Sequence, residues 1–289
     1  MPFQLVEHTN PAQFSDLVLR RLLEAEAENC LLIGLASRMR DKGYVPIPGD
    51  ELQRPLLLTV RQEQRDDMVA IQTLRQRMDV SRGSPAAMRL LGRELARRQW
   101  SGTTIAGPRP CVQTLADAFA ALAGRPARMT LCLGMYQLTK VVHPAPAPGA
   151  MRQCGPEDRL TLARLLGAFA AEINEPSAQD DLTWADQRIA QRRIYFWEDG
   201  QPVAIAGFAG LTPNGVRINS VFTPREHRGR GYASNLVAHL SARLLEEGRK
   251  FCFLNADAAN PTSNRIYQRI GYRPVSESER WEFSPASIG

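Results

Sequence analysis

Apolar residues recur at helical spacing from Asp16 to Lys42, through Leu17, Leu19, Leu22, Leu23, Leu31, Leu32 and Leu35, and predict a helix over that stretch. Short apolar runs at Pro55–Val60 and Met68–Gln72 read as strands. A helix is predicted from Ser84 to Trp100, with Ser84 as N-cap and Pro85 in the first helical position. Another runs from Val112 to Leu122 and stops before Gly124, and Arg128–Leu138 closes the half as a strand. The second half opens with amphipathic helices at Pro156–Ile173 and Trp184–Gln191. Strands at Arg193–Glu198 and Val203–Ala209 then flank Asp199-Gly200, a two-residue hairpin turn, and a third strand follows at Gly215–Thr223.

Between the halves, Lys140-Val141-Val142-His143-Pro144-Ala145-Pro146-Ala147-Pro148-Gly149-Ala150 carries three alternating prolines, which forbid a helix and favour an extended connector. The pattern suggests an N-terminal α/β domain at 1–140, a proline-rich linker at 141–150 and a second domain at 151–289. A chain of 289 residues accommodates two domains. Strands and helices are interleaved in both halves, the mark of a mixed α/β sheet architecture. Hydrophobic residues at 44% and charged residues at 23% exclude a disordered or collagen-like chain.

The net charge of +6 and a pI of about 9.3 permit an anionic partner without naming one. Against nucleic acid stand the missing features: no zinc-finger spacing, no run of five Lys or Arg, and no basic block interleaved with aromatics. Lys42, Lys140 and Lys250 are the only lysines, and the arginine excess is spread along the chain as solvated helix faces are. Cys30, Cys111, Cys132, Cys154 and Cys252 are odd in number and far apart, so neither a disulfide framework nor a metal site is expected. The first residues lack a basic region followed by an apolar stretch, and no apolar run is long enough to cross a bilayer, so a cytoplasmic protein without a membrane partner is expected.

The most informative segment is Val221-Phe222-Thr223-Pro224-Arg225-Glu226-His227-Arg228-Gly229-Arg230-Gly231-Tyr232-Ala233, which joins the third strand to a helix with Leu236, Val237, Leu240, Leu244 and Leu245 on one face. The first turn of a helix leaves N–H groups unpaired at the positive end of its dipole, and glycines let a ligand approach the backbone. Such a turn suits a phosphate or pyrophosphate. The spacing matches neither the dinucleotide fingerprint nor the P-loop.

Arg228-Gly229-Arg230-Gly231-Tyr232-Ala233 resembles the Arg/Gln-x-x-Gly-x-Gly/Ala signature of the GNAT superfamily of acyl-CoA-dependent N-acyltransferases, placed as in that family after a strand ending Val221-Phe222-Thr223-Pro224. A second motif, Asn260-Pro261-Thr262-Ser263-Asn264-Arg265-Ile266-Tyr267-Gln268-Arg269-Ile270-Gly271-Tyr272, is similar to the family's Asn-x-x-Ala/Ser-x-x-hydrophobic-Tyr-x-x-x-Gly-aromatic helix. Between them Lys250-Phe251-Cys252-Phe253-Leu254-Asn255-Ala256 supplies the parallel strand. The resemblance covers roughly residues 150–285 and implies a GNAT fold in the C-terminal half. It also resembles a two-half bacterial layout in which a degenerate GNAT-like first half, here without an Arg-Gly-x-Gly match, precedes the working domain.

The resemblance implies acetyl-CoA as acyl donor, an amine acceptor, small molecule or protein, and no metal. It places the pyrophosphate on the N–H groups of Gly229, Arg230, Gly231, Tyr232 and Ala233, with Arg228, Ser234, Asn260 and Ser263 also among the cofactor-binding residues. Pantetheine would pair like an added strand along Val221, Phe222 and Thr223. Tyr267 falls where relatives keep a tyrosine near the CoA sulfur, a general acid for the leaving thiolate. The strand before the loop carries no carboxylate, which leaves Glu172 as the candidate base, with Glu175 beside it, and His227 as a loop histidine. Pro176-Ser177-Ala178-Gln179-Asp180-Asp181 is an acidic loop that would suit a cationic acceptor, and Phe222 and Tyr232, if turned inward, would favour a short acyl chain. The chain is expected as a monomer or homodimer. Two other classes stand beside an enzyme: an acyl-CoA-binding module without turnover, and a nucleic-acid binder acting through its charge.

Overall fold

The computed structural model describes residues 2–46, 52–63, 65–173 and 180–285. The first run of elements is β1 (Gln4–His8), α1 (Pro11–Leu23), α2 (Cys30–Lys42), β2 (Leu56–Gln62), β3 (Arg65–Leu74), β4 (Arg77–Val80), α3 (Pro85–Arg97), β5 (Thr104–Pro108), α4 (Cys111–Ala123) and β6 (Ala127–Leu138). The second is β7 (Ala150–Gln153), α5 (Arg159–Glu172), α6 (Asp181–Ala190), β8 (Ile194–Glu198), β9 (Pro202–Ala209), β10 (Gly215–Phe222), α7 (Tyr232–Glu246), β11 (Phe251–Asp257), α8 (Pro261–Ile270) and β12 (Arg273–Phe283). Among the described residues, both runs read β-α-α-β-β-β-α-β-α-β, so one plan is used twice.

The chain divides into two units, Met1–Met135 with Asp257–Ala259 and Val275–Gly289, and Tyr136–Ala256 with Asn260–Pro274. The division differs from a cut at the proline-rich stretch because residues 278–282 of β12 pair antiparallel with β5, Ser278 opposite Pro108 through Glu282 opposite Thr104. The end of the second run thereby completes the sheet of the first unit.

In the first unit β1, β2, β3 and β4 are antiparallel neighbours, and β4 pairs in parallel with β5. Alternation along β2 sends Leu58 and Val60 to the face covered by α3 and α4, and Leu57 to the face covered by α1 and α2. The single helix suggested at Asp16–Lys42 is two. An unbroken helix of that length would run about 40 Å and carry Leu32 away from Val18. Instead the chain folds back after Leu23, Asn29 donates from Nδ2 to the Leu22 carbonyl at 2.9 Å, and Phe14, Val18, Leu32 and Ile33 share one core. β1, β4, β5 and β12 were not legible as strands because they are short or half-polar, as in Arg-Pro-Val-Ser-Glu-Ser-Glu-Arg of β12.

In the second unit β7, β8, β9 and β10 are antiparallel and β10 pairs in parallel with β11. Val216, Ile218 and Leu254 meet Leu236, Leu240 and Leu244 of α7 on one face, while Phe196 and Ile205 meet Leu162 and Leu166 of α5 on the other. The proline-rich stretch is fastened to this unit. The Val142 N–H donates to the Ile270 carbonyl (2.7 Å), Trp197 Nε1 to the Pro148 carbonyl (2.7 Å) and Asn235 Nδ2 to the Ala145 carbonyl (3.0 Å), and His143 rests edge-on against His239. Prolines keep this segment extended, so its carbonyls are free to accept these bonds. All five cysteines are free thiols; Cys30, Cys154 and Cys252 are buried, Cys111 and Cys132 half-buried. No helix among the described residues is long and apolar enough to cross a membrane.

Candidate functional site

Three elements of the second unit, β10, α7 and α8, converge on a cleft of about 610 Å³. β10 is bent at its end. Asn219 faces Gly207 on β9 and Phe222 faces Ile205, so β10 holds one residue more than its neighbour. Ser220 absorbs the excess with φ of 50°, a bulge that redirects the strand. On the other side β10 is paired with β11 only from Gly215–Arg217 to Phe251–Phe253, and Val221, Phe222 and Thr223 run on into the cleft wall. The Thr223 hydroxyl is buried there without a partner.

The loop enters α7 through Gly229 and Gly231, with φ of 78° and 79°. A Cβ on Gly229 would meet nothing within 4 Å, so what calls for glycine is the left-handed backbone and not lack of room. Gly231 caps α7 without a side-chain bond, and among the described residues nothing accepts from the N–H groups of residues 229–234. Unpaired donors at the positive end of a helix form a ready anion cradle. Its shape is held from behind. Asn235, buried, donates to the Gly231 and Ala145 carbonyls, each at 3.0 Å. Tyr232 is buried too, and its hydroxyl donates to Asp199 Oδ2 at 2.6 Å.

α8 closes the cleft. Asn260 Oδ1 accepts from the Ser263 N–H at 3.1 Å, Pro261 opens the helix, and Gly271 ends it at φ of 110°. Asn260, Thr262, Ser263, Ile266 and Tyr267 line the cavity. The Tyr267 ring sits edge-on to Tyr272 at 6.1 Å, and among the described residues none hydrogen-bonds its hydroxyl. Burial pushes the Tyr267 phenol up to about 12, so it carries its proton throughout the neutral range.

At the inner end of β10, on the face turned toward α6, lies a buried guanidinium. Arg188 is 8% exposed and donates from Nη2 to Asn219 Oδ1 (3.2 Å) and Ser220 Oγ (3.0 Å), while its Nε is buried with no partner. Burial pushes it down to about 10, and Arg217 and Arg193 push the same way. The β10–β11 register puts Asn255 on this same face, with its Oδ1 buried and unpartnered.

The model of the Acetyltransferase (GNAT) family matches residues 161–272. This stretch matches a GNAT acetyltransferase domain. The whole chain is similar in structure to a GCN5-related N-acetyltransferase from Sphaerobacter thermophilus, with a TM-score of 0.64 at 18% identity over 99% of this chain and 96% of that one. It is similar to a GNAT-family acetyltransferase from Colwellia psychrerythraea (TM-score 0.57, 14% identity, 98% and 100% covered). A tandem GNAT protein from the clavulanic acid biosynthesis pathway matches at a TM-score of 0.57 and 17% identity, over 99% of each chain. At such identities what is shared is the fold, and it extends over both runs of elements. No curated protein sequence matches the chain.

Within the GNAT domain, Glu172, Val221, Phe222, Thr223, Arg228, Gly229, Gly231, Tyr232, Ala233, Ser234, Asn260, Ser263 and Tyr267 all border the cleft, as does His227, while Arg230 is exposed and borders none of it. Several do other work than the motif suggests. Arg228 turns back onto its own scaffold: Nε donates to the Thr223 carbonyl at 2.8 Å, the guanidinium lies over Phe222, and Nη2 pairs with Glu172. Glu172, the candidate base, is therefore committed to a cation. Phe222 and Tyr232, which border the cleft, also pack into the two cores of the unit. Glu175 and positions 176–179 of the acidic loop lie outside the described residues. Of that loop's carboxylates, Asp180 caps α6 by accepting from the Thr183 N–H at 3.0 Å, so its charge serves the helix. Sequence reasoning missed Arg188, which reads as one more arginine on a polar helix, and missed the bulge, which no residue type announces.

Proposed function

We propose that the protein is an N-acetyltransferase that moves an acetyl group from acetyl-CoA to a primary amine by direct attack on the thioester. The observation that carries the reading is the set of N–H groups at residues 229–234, left without acceptors where α7 begins. These donors fit a pyrophosphate, and the free stretch of β10 at Val221–Thr223 fits an extended, amide-bearing arm. The thioester supplies an activated acyl group. The protein's part is to hold it still: the cleft fixes the approach of the amine, and orientation is a large share of such rate gains.

Tyr267 is the acid. Its phenol keeps its proton at neutral pH and has no competing bond, so it donates to the departing sulfur. Tyr267→Phe is expected to lower kcat by about 100-fold and leave the Kd for acetyl-CoA within about twofold, measured by thiol release and calorimetry. Equal loss in both would make Tyr267 a packing residue. The acceptor attacks as its free amine, forming the C–N bond as the C–S bond breaks, and the proton its nitrogen then sheds goes to water, since Glu172 is paired with Arg228.

That same ion pair favours a second reading, a module that binds acyl-CoA without turnover. Isothermal titration with acetyl-CoA, followed by thiol release with a panel of amines, separates the two. Saturable binding with no thiol produced supports the module, and no binding by the folded protein removes both readings.

A further inference from the structure

We infer that the Glu172–Arg228 pair is an exchangeable latch on the donor site. In the free protein Glu172 holds the Arg228 guanidinium, an incoming diphosphate takes it over, and Glu172 draws it back as CoA leaves. The inference rests on the reading of this cleft as an acetyl-CoA site and adds how that site is reset between turnovers.

The same unit contains a control for what a fixed arginine–carboxylate clamp looks like. Arg152 grips Asp158 through Nη1 (2.7 Å) and Nη2 (3.0 Å) and Glu198 through Nε (2.7 Å), with Asp158 buried and the guanidinium over the Phe196 ring. Arg228 is held otherwise. Only Nη2 meets Glu172, Nε donates to the Thr223 carbonyl at 2.8 Å, and among the described residues Nη1 has no acceptor. The two side chains are 43% and 42% exposed, so water screens their attraction and the pair adds little to folding. Packing does not pin Glu172 either. It borders the cleft on one side and, on the other, a second cavity of about 590 Å³ lined by Leu165, Ala168 and Ala171 of α5 and by Pro224. With open space on both sides, its carboxylate is kept at the cleft wall by the cation.

Position makes this pair a rival to the ligand. Arg228 directly precedes the N–H groups of residues 229–234, which lack acceptors, and both partners border the cleft. A diphosphate on those donors brings more negative charge to the guanidinium than one carboxylate does, and its oxygens suit the planar fork. Glu172 repels that same anion. The Nε bond to Thr223 and the Phe222 ring beneath the guanidinium keep the stem of Arg228 in place, so the exchange moves only its Nη end. Because acetyl-CoA and CoA share the diphosphate, a carboxylate that weakens the hold on one also speeds the departure of the other.

Glu172→Gln tests this, since it removes the charge and keeps the shape. Calorimetry is expected to show acetyl-CoA and CoA each binding about 3- to 10-fold more tightly, with inhibition by product CoA tightening in step and the melting temperature little changed. Glu172→Asp, which keeps the charge, stays closer to wild type. With S-acetylpantetheine, which has no diphosphate, kcat/KM by thiol release stays within about twofold. Arg228→Gln weakens CoA binding, and in that background Glu172→Gln has a smaller effect, as coupled residues require. Unchanged or weaker CoA binding by Glu172→Gln would overturn the inference. So would an equal loss of turnover with both donors and a flattened pH profile, which would make Glu172 the general base. Calorimetry needs no turnover, so it separates the failures: CoA binding that Glu172→Gln leaves unmoved removes only the latch, whereas no CoA binding by the folded wild-type protein removes the donor reading beneath it.

Discussion

The two runs of elements each lead a strand into a helix at the same step of the plan, and the two junctions are opposites. Before α7 the chain takes nine residues from Thr223 to Gly231, turns left-handed twice and leaves the helix N-terminus uncapped. Before α3 the connection is Ser81-Arg82-Gly83-Ser84. Ser84 Oγ accepts from the Ala87 N–H at 3.3 Å, Asp67 Oδ2 accepts from the Ser84 N–H at 2.7 Å, and Pro85 brings no N–H at all. A Cβ on Gly83 would come within 2.6 Å of Met68 Cβ, so this turn is packed shut. A carboxylate of the protein thus stands at one helix where the other offers its donors to a ligand. An anion site is emptied of function by filling it from within, with the surrounding fold unchanged.

The contrast is open to attack in order of expected effect. Gly229→Asp with Gly231→Asp keeps residues that tolerate the left-handed region but sets two carboxylates at the cradle, and acetyl-CoA affinity should fall about 100-fold with the melting temperature little changed. Affinity within threefold of wild type would show that the cradle is not where the donor binds. Asp67→Ala should cost about 2 kcal/mol of stability in denaturant titration, because it orphans the Ser84 N–H, and should leave acetyl-CoA binding at one site per chain. A second binding event in that variant would mean that the first run's junction is merely blocked and not dismantled. Ser84→Ala should cost about 1 kcal/mol, the usual worth of such a cap. Tyr232→Phe removes only the bond to Asp199, and about 0.5–1 kcal/mol with a small rise in Kd is expected.

The sequence showed the second junction plainly, because the left-handed turns at Gly229 and Gly231 are demanded by backbone geometry and leave residue signatures, as the capping Asn260 and helix-ending Gly271 do for α8. The first junction was legible as a helix start at Ser84 but not as a closed anion site, since Asp67 lies 17 residues away and meets Ser84 only through the fold. Arg188 hid for the same reason: its partners, Asn219 and Ser220, are about 30 positions distant, and burial is not written in the residue. The proline-rich stretch misled in the opposite way. The prolines point to an extended connector, but nothing in a run of prolines tells which side chains will bind its carbonyls. Half-polar strands such as β4 and β12 are specified by their neighbours in the sheet, and their own patterns are too weak to declare them.

The pairing of β12 with β5 bears on how this chain can be cut. A gene split at the proline-rich stretch would yield a first product whose β5 lacks its terminal neighbour, with a row of open backbone groups along an otherwise finished sheet. Supplying the missing strand in trans, as a peptide covering residues 273–285, should recover solubility that the fragment alone does not have. The chain repeats one order of elements twice, and this single strand ties the first run to the end of the second.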